Sequence, residues 1–151
     1  EVARQGFERF ADMLARAWND GAPDPLRAFE ALGRAYLGFA RTDAAYYAAM
    51  FETRLVAEEH PGLQAAGDRA FGVLRAATER LIAGLPEGRR PPALMVALHI
   101  WSMAHGIASL FCRPDRSRRK LPMAAEELLE AGLLIYLQSL GLAGGGSATR
   151  R

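Results

Sequence analysis

The chain has 151 residues, of which 50% are hydrophobic and 24% are charged, as in one ordinary globular domain. Its 19 basic and 17 acidic residues leave a net charge of +2, which is too small to indicate nucleic-acid binding by this segment. A single cysteine, Cys112, excludes an intrachain disulfide and a cysteine-based zinc cluster. A lone cysteine suits a reducing compartment, and we expect a cytoplasmic location.

Apolar residues recur at spacings of three and four along most of the chain, and no stretch alternates apolar and polar residues as a half-buried strand does. The pattern therefore predicts an all-α domain of about six helices. These predicted helices cover roughly residues 1–18, 25–39, 44–51, 61–81, 92–111 and 122–140. Nothing before Ala3 resembles a helix cap, so we expect the chain to begin inside a helix, as if an upstream segment were omitted.

Capping residues and prolines mark the predicted helix ends. Asp24 is placed to cap the second helix, with Pro25 at its first helical position. Pro61 is expected to open the fourth helix and Pro122 the sixth, while Gly141 is a plausible C-terminal stop.

The rest of the chain is predicted to be links and a tail. Residues 1–143 are expected to form one domain, and the Gly-rich residues 144–151 a flexible tail. A basic loop joins the fifth helix to the sixth, and we expect a solvated link there rather than a phosphate site. Its basic residues are Arg113, Arg116, Arg118, Arg119 and Lys120.

The stretch from Pro91 to Cys112 carries no charged residue, so the fifth helix must be surrounded by apolar material. A protein core, a partner subunit, an apolar ligand and a bilayer are the candidates. The run is long enough to span a membrane. However, it contains His99, Ser102 and His105, and basic residues flank both ends. We therefore expect no membrane insertion.

The fifth and sixth helices are both apolar on more than one side, whereas a helix docked on a monomer core needs only one apolar stripe. The surplus predicts a homodimer in which the last two helices of each copy form a four-helix bundle. The small residues Ser102, Gly106 and Ser109 would let a second helix approach closely. The full predicted interface comprises Ser102, Gly106, Ser109, Leu128, Ala131, Leu133 and Ile135.

Trp101 and His105 lie four residues apart and so share a helix face. An indole that stacks on an apolar effector, beside an imidazole that hydrogen-bonds it, would make a small-molecule pocket. The alternative is a core tryptophan with a satisfied histidine. The complete predicted ligand set is Tyr36, Tyr47, Phe51, Phe71, Trp101, Met103 and His105, and simple core packing remains open for its aromatic members.

Catalytic and metal chemistry find no support in the sequence. His99 and His105 are six residues apart, so they point to different sides of one helix. No cysteine or carboxylate stands beside them at ligand spacing, and no catalytic motif is recognisable. We predict no metal, no cofactor and no enzymatic activity.

Three motifs occur in an order that resembles a known family. They are Tyr36-Leu37-Gly38-Phe39-Ala40, Tyr46-Tyr47-Ala48-Ala49-Met50-Phe51, and the spaced residues Trp101, His105 and Gly106. Together with the helix order, they resemble the C-terminal ligand-binding and dimerisation part of TetR-type transcriptional regulators. Within that family, the subgroup named for a Trp…His-Gly signature is the best local match. The resemblance extends from about Leu26 to Leu140.

The resemblance implies an effector-sensing, homodimeric domain of a DNA-binding transcriptional repressor, with an apolar or aromatic small molecule as its ligand. No helix-turn-helix segment is recognisable in these residues, so operator DNA would be bound only through a domain missing here. The alternative is a helical protein-interaction module that binds a heterologous helix and no small molecule.

Overall fold

The computed structural model describes residues 1–51, 59–112 and 120–142, and the basic residues at 113–119 and the predicted tail at 144–151 lie outside them. The described residues form six α-helices and no strand, which confirms the predicted all-α class. The helices are α1 (Val2–Trp18), α2 (Pro25–Thr42), α3 (Ala44–Phe51), α4 (Pro61–Ile82), α5 (Ala93–Phe111) and α6 (Ala125–Ser139).

The predicted start of α2 is confirmed and that of α6 is wrong. The Asp24 carboxylate accepts a hydrogen bond from the backbone N–H of Arg27 at 3.0 Å, and Pro25 occupies the first helical position. Helix α6 begins at Ala125 rather than at Pro122, because Ala124 has an extended backbone with ψ near 143°. A proline is compatible with a first turn but does not by itself start a helix.

Helix α6 ends where Gly141 was expected to stop it. Gly141 has a φ of +81°, which a residue with a side chain rarely adopts. Its N–H donates to the carbonyl of Gln138 at 2.9 Å, and the N–H of Leu142 donates to that of Leu137 at 2.8 Å. This Schellman arrangement satisfies carbonyls that would otherwise lack partners at the helix end.

Helix α2 lies at the centre of the fold and contacts every other described helix. Seven of its 18 residues are buried, and Leu37 is completely inaccessible to solvent. The other large buried residues of α2 are Phe29, Leu32, Tyr36 and Phe39. The core is therefore organised around one helix.

Helix α1 packs along α4 and crosses α3 at close range. A Cβ atom added to Gly6 would lie 2.9 Å from both Cγ and Sδ of Met50, and 3.3 Å from Cβ of Tyr46. A side chain at residue 6 could be accommodated only if α3 or Met50 moved. The glycine thus sets how closely α1 approaches α3.

Helix α5 packs against α2, α4 and α6 through its small and branched residues, among them Val96, Ala97, Ile100 and Ala104. By length and composition it is the one helix in the described part of the chain that could cross a membrane, and 33% of its most apolar window is buried in the chain. Much of its apolar surface is therefore left outside the core.

The central position of α2 gives a test of the fold. Replacing Leu37 by Ala should lower the free energy of unfolding by about 2–5 kcal/mol, because a fully buried side chain is lost and leaves a cavity. Urea denaturation at fixed protein concentration measures the change. Met123→Ala, at an exposed position outside the helices, should change it by less than about 0.5 kcal/mol. Equal effects of the two substitutions would contradict this arrangement.

Candidate functional site

Nine ring-bearing side chains from α1 to α5 form one aromatic cluster. Its members are Phe7, Phe10, Tyr36, Phe39, Tyr47, Phe51, Phe71, Trp101 and His105. Trp101 lies at its centre, with ring centroids 6.1 Å from Phe10, 6.0 Å from Tyr36, 6.2 Å from Phe51 and 5.3 Å from Phe71. These contacts are edge-to-face, the geometry that aromatic pairs favour.

His105 lies one helical turn beyond Trp101 and meets the rings presented by α3. Its centroid is 4.7 Å from that of Phe51 and 5.8 Å from that of Tyr47. The short helix α3 places both rings on the face directed at α5, because Tyr47 and Phe51 are four residues apart. The structure thus brings Trp101 and His105 together with aromatic residues of the earlier helices, which is the juxtaposition that the sequence predicted.

A polar network lies inside this aromatic wall. The Tyr47 hydroxyl is 2.6 Å from Nδ1 of His105 and 3.2 Å from the hydroxyl of Tyr36. The Tyr36 hydroxyl is also 3.5 Å from Nδ1, and Oγ of Ser109 is 3.4 Å from Nε2. Two buried tyrosine hydroxyls are thus satisfied by each other and by one imidazole, as buried polar groups require.

Burial governs the protonation of this network. Desolvation raises the pKa of the Tyr36 phenol far above its usual value, and the nearby Tyr47 hydroxyl acts in the same direction. Tyr36 therefore stays neutral throughout the physiological pH range and can both donate and accept a hydrogen bond.

Tyr36 also lines an internal cavity of about 30 Å³, whose other walls are apolar side chains and Gly33. Pockets for drug-sized ligands are typically about 300–1,000 Å³. In this arrangement the cavity is too small for such a ligand, so binding beside Tyr36 would require side chains or helices to move.

One predicted ligand residue lies elsewhere, and three cluster members, Phe7, Phe10 and Phe39, were missed. Met103 packs against α6, where a Cβ added to Gly132 would lie 2.9 Å from its Sδ. Phe10 of α1 is fully buried and contacts both Tyr36 and Trp101. Phe7, Phe10 and Leu14 recur at helical spacing in the sequence, but such spacing does not reveal which partners the residues meet.

The outer side of α5 and α6 carries an apolar surface, which we call the α5–α6 face. Its members are Leu98, Ser102, Gly106, Leu128, Ala131 and Ile135, all exposed or half-buried. Ile135 is 69% exposed and Leu98 is 48% exposed, and a Cβ added to Gly106 would meet nothing within 4 Å. Five residues of the predicted dimer interface belong to this face, namely Ser102, Gly106, Leu128, Ala131 and Ile135. Ser109 is not among them, since its Oγ lies 3.4 Å from Nε2 of His105.

Leu133 does not belong to that surface. It is only 6% exposed, and a Cβ added to Gly33 of α2 would lie 3.5 Å from its Cδ1. The side chain is used within the chain, between α6 and α2. Leu133 was predicted to lie in the dimer interface, and its burial within the chain corrects that prediction.

The two histidines of α5 serve different neighbours, as their spacing predicted. His105 belongs to the aromatic cluster, whereas Nδ1 of His99 is 2.8 Å from the Tyr136 hydroxyl of α6. In the described ranges, no three His, Cys, Asp or Glu residues lie together as a metal site would require.

Comparison with known families shows which family the chain belongs to. The model described as the tetracyclin repressor-like C-terminal domain matches residues 29–134, which is more than half of the chain. The chain belongs to this family. Searches of curated proteins and of solved structures found no significant match.

A TetR-like C-terminal domain is the part of a transcriptional regulator associated with effector binding and dimerisation, and such regulators are soluble and are not enzymes. The resemblance drawn from the motifs of α2, α3 and α5 is thereby confirmed at the level of the family. The Trp…His-Gly subgroup stays a prediction, as does a cytoplasmic location.

The buried Tyr36 phenol predicts how stability depends on pH. The unfolded chain ionises this group near pH 10, whereas the folded domain keeps it protonated. The free energy of unfolding should therefore fall above pH 10, by at most about 1.4 kcal/mol per pH unit from this residue.

Replacing Tyr36 by Phe should make that decline less steep, as measured by urea denaturation between pH 8 and about 11. Tyr46→Phe, on the neighbouring helix α3 and outside the aromatic cluster, is the matched control and should leave the decline closer to that of the unmodified domain. If the free energy of unfolding declined with pH as steeply in Tyr36→Phe as in the unmodified domain, the buried Tyr36 phenol would not be the cause of the decline.

Proposed function

We propose that this TetR-like domain binds a small apolar or aromatic effector at the aromatic cluster and dimerises through the α5–α6 face. The observation that carries the proposal is the Tyr36–Tyr47–His105 network enclosed by aromatic rings in a domain of this family. Apolar walls with a few convergent polar groups are the usual composition of a small-molecule site.

Graded burial supports binding at this cluster. Phe10, Tyr36 and Tyr47 are buried, whereas Phe51 and Trp101 remain partly exposed. A planar effector could therefore reach the outer rings first and stack on them. A hydroxyl or carbonyl of the effector would then replace one hydrogen bond of the inner network, so that no buried polar group loses its partner.

The same contacts suggest how occupancy is transmitted. Helix α3 supplies Tyr47 and Phe51 to the cluster and Met50 to the tight contact with Gly6 of α1. An effector that displaced α3 would favour a different position of α1. In a repressor whose operator-binding helix-turn-helix domain is joined to α1, that shift would change the spacing of two DNA-binding domains, provided that the effector binds the two states with different affinities.

The role of Trp101 is tested with 2-naphthol, which combines fused aromatic rings with one hydroxyl. The unmodified domain should bind it, and Trp101→Leu should weaken binding at least tenfold because the central ring of the cluster is lost. Calorimetric titration measures the affinity.

Trp18→Leu is the matched control, since Trp18 is the other tryptophan and lies at the far end of α1, beside Gly21. It should bind 2-naphthol as the unmodified domain does. Equal loss in both variants, or no binding to the unmodified domain by 2-naphthol or a wider aromatic panel, would contradict an effector site at the cluster.

The α5–α6 face supports dimerisation through its composition and its shape. Exposed leucine and isoleucine side chains stand beside Ser102, Gly106 and Ala131, whose small size lets a second pair of helices approach closely. A two-fold axis would bring the same face of another copy against it and bury the exposed side chains. A partner of different sequence could use the same surface, which is the alternative of a protein-interaction module.

Ile135→Glu tests the dimer. The unmodified domain should sediment as a dimer at micromolar concentration, and the variant as a monomer, because association would bury a carboxylate without a partner. Val2→Glu places the same charge at an exposed apolar residue of α1 and should stay dimeric. A monomeric unmodified domain would instead favour the protein-interaction alternative.

A further inference from the structure

A larger cavity, of about 380 Å³, lies where the ends of α2 and α5 meet the start of α6, and we call it the end cavity. Arg41 contributes to it from the last turn of α2, Phe111 is the last residue of α5, and Ala125 is the first residue of α6. Pockets for small molecules typically measure about 300–1,000 Å³. The end cavity therefore has room for a compact ligand as it stands.

The end cavity is separate from the sites described above. None of the described residues lines it and also belongs to the aromatic cluster or the α5–α6 face. Phe111 lies six residues beyond His105 on α5, which corresponds to about 9 Å along the helix axis. Lys120 and Met123 on its wall are exposed, so a ligand can reach it from solvent without any movement of the helices.

Two cations line the end cavity, and they differ in how they are paired. Arg41 donates from Nη2 to Oε2 of Glu126 at 3.0 Å, so its charge is already balanced. Lys120 has no ion-pair partner within the described ranges, and no carboxylate there lines the cavity. The unbalanced charge of Lys120 favours an anionic ligand. Arg41 can assist, because a guanidinium has more N–H donors than one carboxylate uses.

The rest of the lining is apolar and suits an aromatic ring. Phe111 and Leu121 are half-buried, and Met123 is 47% exposed. A phenyl ring and a thioether both make favourable contacts with aromatic rings. Covering these side chains would also remove apolar surface from water. The ligand should therefore combine one anionic group with a flat apolar body.

We infer that the end cavity binds a small aromatic carboxylate, whose carboxylate contacts Lys120 and Arg41 and whose ring covers Phe111 and Met123. This ligand differs in charge from the effector proposed above. The aromatic cluster contains neither arginine nor lysine, so a carboxylate buried there would lack a balancing charge. The end cavity is thus a second site with its own ligand class.

The chain itself supplies a reporter for this site, because Lys120 is the only lysine among its 19 basic residues. Acetylation of its amine by N-hydroxysuccinimidyl acetate, followed by mass spectrometry on the whole domain, measures how accessible that amine is. The probe is 2-naphthoate, compared with its neutral isostere 2-naphthamide and with acetate. 2-Naphthoate should protect Lys120 at concentrations about tenfold lower than 2-naphthamide, which lacks the charge, or acetate, which lacks the rings.

Substitutions on the wall test the same contacts by calorimetry. Lys120→Gln should weaken 2-naphthoate binding about fivefold, whereas Lys120→Arg should retain it, because the cation is what the carboxylate needs. Ala124→Trp, at an exposed residue on the wall just before α6, should block the cavity with its bulk. Arg16→Gln is the matched control, since it removes one positive charge at an exposed residue of α1 and should bind 2-naphthoate normally.

Failure of 2-naphthoate to bind, or binding that leaves the acetylation of Lys120 unchanged, would overturn the site. Normal binding by both Lys120→Gln and Ala124→Trp would overturn it as well. Equal affinities for 2-naphthoate and 2-naphthamide would overturn the assignment of an anionic ligand. Trp101→Leu, which is expected to lose 2-naphthol, should still bind 2-naphthoate, so the two proposed sites fail or survive independently.

Discussion

The need to bury α2 on several sides at once constrains the rest of this domain. Helix α2 contacts all the other described helices, so its large side chains fill the centre and its small residues mark where neighbours come closest. Leu37 is enclosed completely, while Gly33 lets the leucines of α6 approach the α2 backbone. Because the same helix carries Tyr36, the packing that stabilises the core also positions the innermost hydroxyl of the aromatic cluster.

The aromatic cluster combines two requirements that usually conflict. Tyr36 and Tyr47 bring hydroxyls into an apolar interior, where an unsatisfied polar group is costly. His105 resolves the conflict by offering one ring nitrogen to both hydroxyls from the opposite helix. This arrangement leaves polar groups that an incoming molecule can exchange for its own, and membership of the TetR-like family makes a sensor the function that best accounts for them.

Helix ends and the membership of the aromatic cluster were largely predictable from sequence. Which face of an apolar helix is turned toward the core was not. Asp24 and Gly141 act through local hydrogen bonds, so their roles follow from neighbouring residues alone. Met103 and Leu133 lie on helices that are apolar on several sides, where periodicity cannot distinguish a core face from an exposed one. Phe10 escaped the site prediction because its partners come from distant parts of the chain.

The contact between Gly6 and Met50 has a mechanical consequence. Two helices separated by a thick layer of flexible side chains can slide past each other, since rotamer changes absorb the displacement. Here a Cβ added to Gly6 would lie not only 2.9 Å from the Met50 side chain but also 3.3 Å from Cβ of Tyr46, an atom whose position the α3 backbone fixes. Little flexible side chain therefore separates the two helices at this point. Helices α1 and α3 therefore behave as a stiff joint, and displacing one of them by a fraction of an ångström displaces the other.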